Sequence, residues 1–234
     1  MWLNGKSEAA RGRRIMRYYI SDLHFYHHSL NIHMDCRGFE DGDAMNAYMI
    51  RQWNQKVRPV DEVVILGDLS VGKGKATNAI VEQLNGRLFL VEGNHDLFLK
   101  DKQFDKSRFE WIKPYAELHE NKRKVILSHY PIFCYNGQYR RMRDGSDRTY
   151  MLYGHVHNSY DEVLIDQFQN MTRSARRPVR GMEGLQPIPC HMINCFCMFS
   201  DYTPLTLDEW IENDRIRREN TLTNENSGDN ILED

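Results

Sequence analysis

Asn94, His95 and Asp96 follow directly on Gly93, so one short loop offers an amide, an imidazole and a carboxylate. Just before it lies Leu88-Phe89-Leu90-Val91, a continuous apolar run. Its shortness, and the glycines Gly86 and Gly93 on either side, read as a buried strand. In an open α/β sheet, ligands bind outside the carboxyl ends of the strands. The triplet therefore stands where chemistry is usually done, although alone it is ordinary turn material. The same order of apolar strand and polar loop recurs four more times. Residues 17–21 lead into Asp22-Leu23-His24, and residues 63–66 into Gly67-Asp68. Residues 124–128 lead into His129, and residues 150–153 into Gly154-His155-Val156-His157. Asp, Asn and neutral His are hard-to-borderline donors suited to Mn, Fe, Zn or Ni. In Asp22-x-His24 and His155-x-His157 the i, i+2 spacing predicts both side chains on one face of an extended segment.

These loops need strands and helices to hold them. A helix is expected over residues 44–57, with Asp43 as N-cap and Met45, Tyr48, Met49 and Trp53 on one face. Pro59 ends it. Gly72-Lys73-Gly74-Lys75 lacks the Walker spacing and its Ser/Thr, and reads as the loop before a helix over residues 75–84. Residues 97–111 read as a charged connector or short helix. Residues 115–119 and 124–128 form a hairpin around Glu120-Asn121-Lys122-Arg123. Residues 192–198 read as a late strand, and Thr206 caps a last helix over residues 207–218. The expected organisation is an N-terminal arm or extension over residues 1–16, one domain over 17–218 and a disordered tail over 219–234. Few apolar residues occur in that tail.

Composition narrows the function classes. The chain has 234 residues, 41% of them hydrophobic and 27% charged, which is enough for one well-buried soluble domain. A net charge of −2 gives no global attraction to nucleic acid or anionic membrane. No apolar run approaches the roughly 18 residues that a membrane span needs. The basic N-terminus lacks the apolar core of a secretory signal. Five cysteines, three of them clustered at Cys190, Cys195 and Cys197, read as buried reduced thiols in the late strand and point to the cytoplasm.

Taken together, Asp22-x-His24, Gly67-Asp68, Gly93-Asn94-His95-Asp96, His129 and Gly154-His155-x-His157 resemble the calcineurin-like metallophosphoesterase superfamily, with all five blocks in that family's order. The longer wording around them, such as Ser21-Asp22-Leu23-His24-Phe25-Tyr26-His27 and Leu84-Asn85-Gly86-Arg87, resembles a branch of small bacterial and phage phosphoesterases. Tyr26 stands where that branch usually has glycine, and Arg37-Gly38-Phe39 where it usually has Arg-Pro-Phe. The resemblance implies a four-layer α/β/β/α sandwich of two facing mixed sheets; strand and helix spacing alone support only α/β. It implies two transition-metal ions, the first held by Asp22, His24, Asp68 and His157, the second by Asp68, Asn94, His129 and His155. It also implies hydrolysis of a phosphomonoester or phosphodiester by a hydroxide held between those ions. His95 would serve the leaving group, with Asp96 orienting it. His27 and Asn94 are substrate-binding candidates, and so is Arg141, from the arginine-rich stretch over residues 140–148. A nuclease or another polymer-directed diesterase is the alternative, favoured by the arginines and opposed by the net charge. A non-catalytic scaffold on the same fold is opposed by the complete residue set.

Overall fold

The computed structural model describes residues 14–179 and 182–228. In chain order it forms β1 (Arg17–Ile20), α1 (His28–Ile32), α2 (Gly42–Lys56), β2 (Glu62–Ile65), α3 (Gly74–Val81), β3 (Arg87–Val91), β4 (Phe109–Lys113) and β5 (Tyr115–Glu120). There follow β6 (Arg123–Ser128), β7 (Thr149–Tyr153), α4 (Tyr160–Ser174), β8 (Arg176–Pro178), β9 (Leu185–Pro187), β10 (Met192–Asn194) and α5 (Leu207–Gly228).

Side-chain alternation builds the layers. In β1, Tyr18 and Ile20 face one core and Tyr19 another; in β2, Val63 and Ile65 oppose Val64, which Leu66 joins just past the strand. The first set packs with Met45, Met49 and Trp53 of α2 and Ile80 and Val81 of α3. The second meets Val125 and Leu127 of β6, Leu152 of β7 and Ile193 of β10. The far side of the second sheet, with Ile126, Met151, Tyr153 and Met192, packs on Ile165 of α4. This is the expected helix–sheet–sheet–helix order. Both faces of each sheet are covered, which is why the strands read as continuous apolar runs.

The first sheet runs β1-β2-β3-β4 and the second β10-β7-β6-β5. Every ladder of the first is parallel, and an isolated antiparallel bridge from Tyr19 to Leu205 borders it. The second is mixed, since β5 pairs antiparallel with β6. The two sheets are sewn together beside the site. Ser21 N–H donates to the Cys195 carbonyl at 2.8 Å, and Cys197 N–H donates to that of Ser21 at 3.1 Å.

Several elements differ from expectation. Asp41, not Asp43, caps α2 by accepting from Ala44 N–H at 2.7 Å, because it is the last residue with extended backbone before the helix. The connector over residues 97–111 contains two single 3-10 turns and the start of β4, whose Phe109 and Ile112 pack on the first core. Helix α4 is signalled by Ser159 and Glu162 at capping-box spacing: the Ser159 hydroxyl accepts from Asp161 N–H. The late strand is short because Cys197–Ser200 turns into a 3-10 helix. Thr206 caps α5 as expected, with Glu209 reaching back to its N–H at 2.8 Å. The α5 backbone then continues past Arg218 to Gly228. Arg215 pairs with Glu212 and Glu219, and such i, i+3 and i, i+4 pairs support a helix that has few apolar residues. The rest of the expected tail, residues 229–234, and residues 1–13 of the expected arm lie outside the described residues.

Candidate metal centre

Five strand ends deliver the donors. Asp22 and His24 follow β1, Asp68 follows β2, Asn94 follows β3, His129 follows β6, and His155 and His157 follow β7. Two groups result, Asp22 with His24 and His157, and Asp68 with His129 and His155, the donor atoms of each lying within 4.8 Å of one another. Asp68 joins them: its Oδ2 is 3.4 Å from Nε2 of His24 and 3.4 Å from Nε2 of His129. Asn94 Oδ1 lies 3.0 Å from His129 Nε2, so the amide belongs to the second group.

The loops are not extended segments, as the i, i+2 reading assumed. Asp22, His24, Asp68, His155 and His157 all have left-handed backbone, φ 49° to 72°. Such residues cost on the order of 1–3 kcal/mol each and persist where the surroundings over-determine them. Here they turn neighbouring donors inward after very short strands. The glycines explain themselves in the same terms. A Cβ on Gly67 would strike the His129 ring, one on Gly93 would strike Asp68, and one on Gly154 would strike Asp22. Each glycine therefore makes room for a donor from another strand.

Hydrogen bonds fix which ring nitrogens point inward. His129 Nδ1–H donates to the Leu66 carbonyl at 2.8 Å, leaving Nε2 toward Asp68. His157 Nδ1–H donates to Asp35 Oδ1 at 2.7 Å, leaving Nε2 toward His24 at 3.1 Å. A carboxylate behind a ligating imidazole sets its tautomer and raises its basicity. Asp35 is held in turn by buried Arg37, which also donates to the carbonyls of Leu23 and Asp22. Asp35 escapes sequence reading because it lies in an irregular loop, with its partner His157 distant in sequence. The one hint is Arg37, in a wording noted for its departure from Arg-Pro-Phe. Tyr130 was also missed: its ring lies 4.4 Å from His155, and its hydroxyl donates to Asn94 Oδ1 at 3.4 Å.

The electrostatics suit cations. Burial pushes His24 down to about 2, so it is a neutral donor. Burial would also lower His129, but its hydrogen bond to Asp68 and the charges of Asp22 and Asp68 win and raise it to about 9. Two buried carboxylates thus draw positive charge into a space ringed by imidazole lone pairs. The donor set and its geometry fit two metal ions with one shared carboxylate.

The remaining candidates separate. The His95 ring lies 5.3 Å from that of His24 and 6.1 Å from that of His27, on the exposed side of the donors. His27 is therefore brought to the site, with Nδ1 3.4 Å from His24 Nδ1. Asp96 does not orient the His95 ring. Its Oδ2 accepts from Asp68 N–H and Gly93 N–H, and its Oδ1 from Leu69 N–H, at 2.7–3.0 Å. It braces two donor loops against each other, because a buried carboxylate is best satisfied by the nearest unpaired amides.

Arg141 is not brought to the site. Strands β6 and β7 are parallel, so the chain leaving His129 must return to the opposite end before entering β7. Arg141 bridges to Asp147 there, and Arg143 shares a surface with Asn121 and Lys122 of the β5–β6 turn. Lys124, beside that turn, is five residues from His129, roughly 16 Å at about 3.3 Å per residue.

This sandwich, with its paired donor groups at one end of the parallel strands, is of the metallophosphoesterase type. The profile of the calcineurin-like phosphoesterase superfamily domain matches residues 16–168, and the chain belongs to that superfamily. An uncharacterized protein of Methanocaldococcus jannaschii is 35% identical over 149 residues, covering 62% of this chain and 72% of that protein. The crystal structure of a protein of unknown function from Aquifex aeolicus is similar in fold, with TM-score 0.55 and 23% identity over 84% of this chain and 97% of that one. Among the described residues no helix is long and apolar enough to cross a membrane.

Proposed function

We propose that the protein is a dinuclear metal-dependent phosphoesterase that cleaves phosphomonoester or phosphodiester bonds of small molecules. The observation that carries this reading is Asp68 Oδ2, equidistant at 3.4 Å from imidazoles of both donor groups. Asp22, His24, Asp68 and His157 would hold one ion, and Asp68, Asn94, His129 and His155 the other. The bound ions, Mn, Fe, Zn or Ni, would neutralise phosphate charge and supply water ionised near neutral pH. The protein's own groups do the rest. Asn94, His27 and Tyr130 line the open side and bind the phosphate oxygens. His95, also on that side, gives a proton to the leaving oxygen. Asp96 keeps the Asp68 and Gly93 loops in register. Nucleic acid is not the favoured substrate, because the arginine-rich loop stands at the other end of the strands. Free cysteines, three of them buried, support a cytoplasmic setting.

Chelation tests the reading. Hydrolysis of small phosphate esters should vanish on metal removal and return on add-back. Hydrolysis that survives chelation unchanged would overturn it.

Asp35→Ala should weaken metal affinity about 10–100-fold, the usual cost of losing a carboxylate behind a ligating histidine. Asp35→Asn should recover part of it by still accepting from His157 Nδ1–H. Metal titration measures both. Wild-type affinity in Asp35→Ala would remove that carboxylate from the account.

A further inference from the structure

A cleft of about 500 Å³ adjoins the donors and extends beyond them. His155 and His157 line it together with Met34, Phe196, Met198 and Phe199. It is continuous with the metal centre through Phe196, which stacks on the His157 ring at 4.7 Å and 28°. The size lies within the range of about 300–1,000 Å³ that encloses small organic ligands, and the lining is mixed, with aromatic and thioether side chains facing carboxylate, amide and hydroxyl groups.

Its charge is informative. No lysine or arginine lines it. Asn158 and Asp161 stand exposed at its polar side, near the start of α4. Asp35 is committed to His157 and Arg37. The Asp161 carboxylate makes no hydrogen bond or ion pair among the described residues and is free to accept one. Such a cleft repels a second phosphate and accepts a flat ring, with hydroxyl or amino hydrogens directed at Asp161.

We infer that this cleft seats the organic part of the substrate, and that this part is an uncharged, ring-bearing alcohol of the kind a nucleoside presents. The inference rests on the phosphoesterase reading for the fate of the phosphate. The bond broken is that between phosphorus and the alcohol oxygen; water supplies the hydroxyl to phosphorus, and the alcohol leaves with a proton.

The test uses the full metal-loaded chain, three esters and one charge reversal. Adenosine monophosphate should exceed glycerol phosphate in kcat/KM by tenfold or more. Asp161→Arg, at an exposed position, should shift preference at least tenfold from adenosine monophosphate toward adenosine 3′,5′-bisphosphate, through KM. Glycerol phosphate, too small to extend from the donors to Asp161, should be unaffected. A parallel calorimetric titration of the chelated protein needs no turnover: adenosine should bind wild type more tightly than the bisphosphate does, and Asp161→Arg should reverse that order. Hydrolysis of glycerol phosphate without any adenosine preference, or an Asp161→Arg variant with unchanged selectivity, overturns the cleft assignment. Adenosine binding with the predicted reversal, but no hydrolysis of any ester, leaves the cleft assignment standing and overturns the phosphoesterase reading.

Discussion

Asp68→Ala should cost activity at least about a thousandfold, or ~4 kcal/mol of barrier at 1.36 kcal/mol per decade. Its Oδ2 lies between the two groups, 3.4 Å from His24 Nε2 and 3.4 Å from His129 Nε2. Its other oxygen accepts from His95 N–H at 2.8 Å, so it also fixes the loop that carries His95. Burial would raise its pKa, but the hydrogen bond and charge of His129, with the hydrogen bond from His95 N–H, hold it at about 2, so the negative charge persists wherever the protein is assayed. Removing it would take away the carboxylate placed between both groups and leave His129 without its partner. Asp68→Asn separates charge from shape. Asparagine tolerates the left-handed backbone found there, φ 53°, and keeps an oxygen for His95 N–H. It should fold normally and still lose most activity. Near-wild-type rates in the asparagine variant would mean that the carboxylate charge is not used.

His95→Ala should lose activity in proportion to how much the leaving group needs a proton. General acid catalysis typically contributes about 10²–10⁴-fold, or roughly 3–5 kcal/mol. An alkoxide leaving group should show a loss of that order. A nitrophenolate, already a stable anion, should show distinctly less. His95 is exposed beside His24 and His27 rather than among the inward-facing donors, so both metals should remain bound. His129→Ala should behave differently, losing metal and hurting both kinds of ester alike. A series of leaving groups of graded pKa, run on both variants with metal content measured, makes the comparison. Equal losses across the series for His95→Ala would assign that ring to phosphoryl charge stabilisation instead. Loss of metal would make it a ligand.

The donors and the strands that carry them were legible in the sequence for one reason. Each buried strand is a short apolar run that stops at glycine or at a polar residue, so strand ends and donors are marked together, as at Leu66-Gly67-Asp68 and Tyr153-Gly154-His155. What failed were features set by partners distant in the chain. Asp96 beside His95 invited a pairing between neighbours, yet the carboxylate is claimed by amides of Asp68 and Leu69. Asp35 shows no periodicity, and its role exists only once His157 is folded against it. Arg141 lies between two donor-bearing strands in sequence, but the parallel pairing of β6 with β7 carries it to the far end. The left-handed donors could not be foreseen from i, i+2 spacing, because that backbone is imposed by the crowding of five loops around a common centre.

The account stands most directly on the number of metal ions per chain. Elemental analysis of the purified protein, saturated with Mn or Zn and freed of loosely held ion, should give two per wild-type chain. Asp68→Ala should give one or none. A wild-type value that saturates at one, or an Asp68→Ala chain that still holds two, would contradict the shared centre.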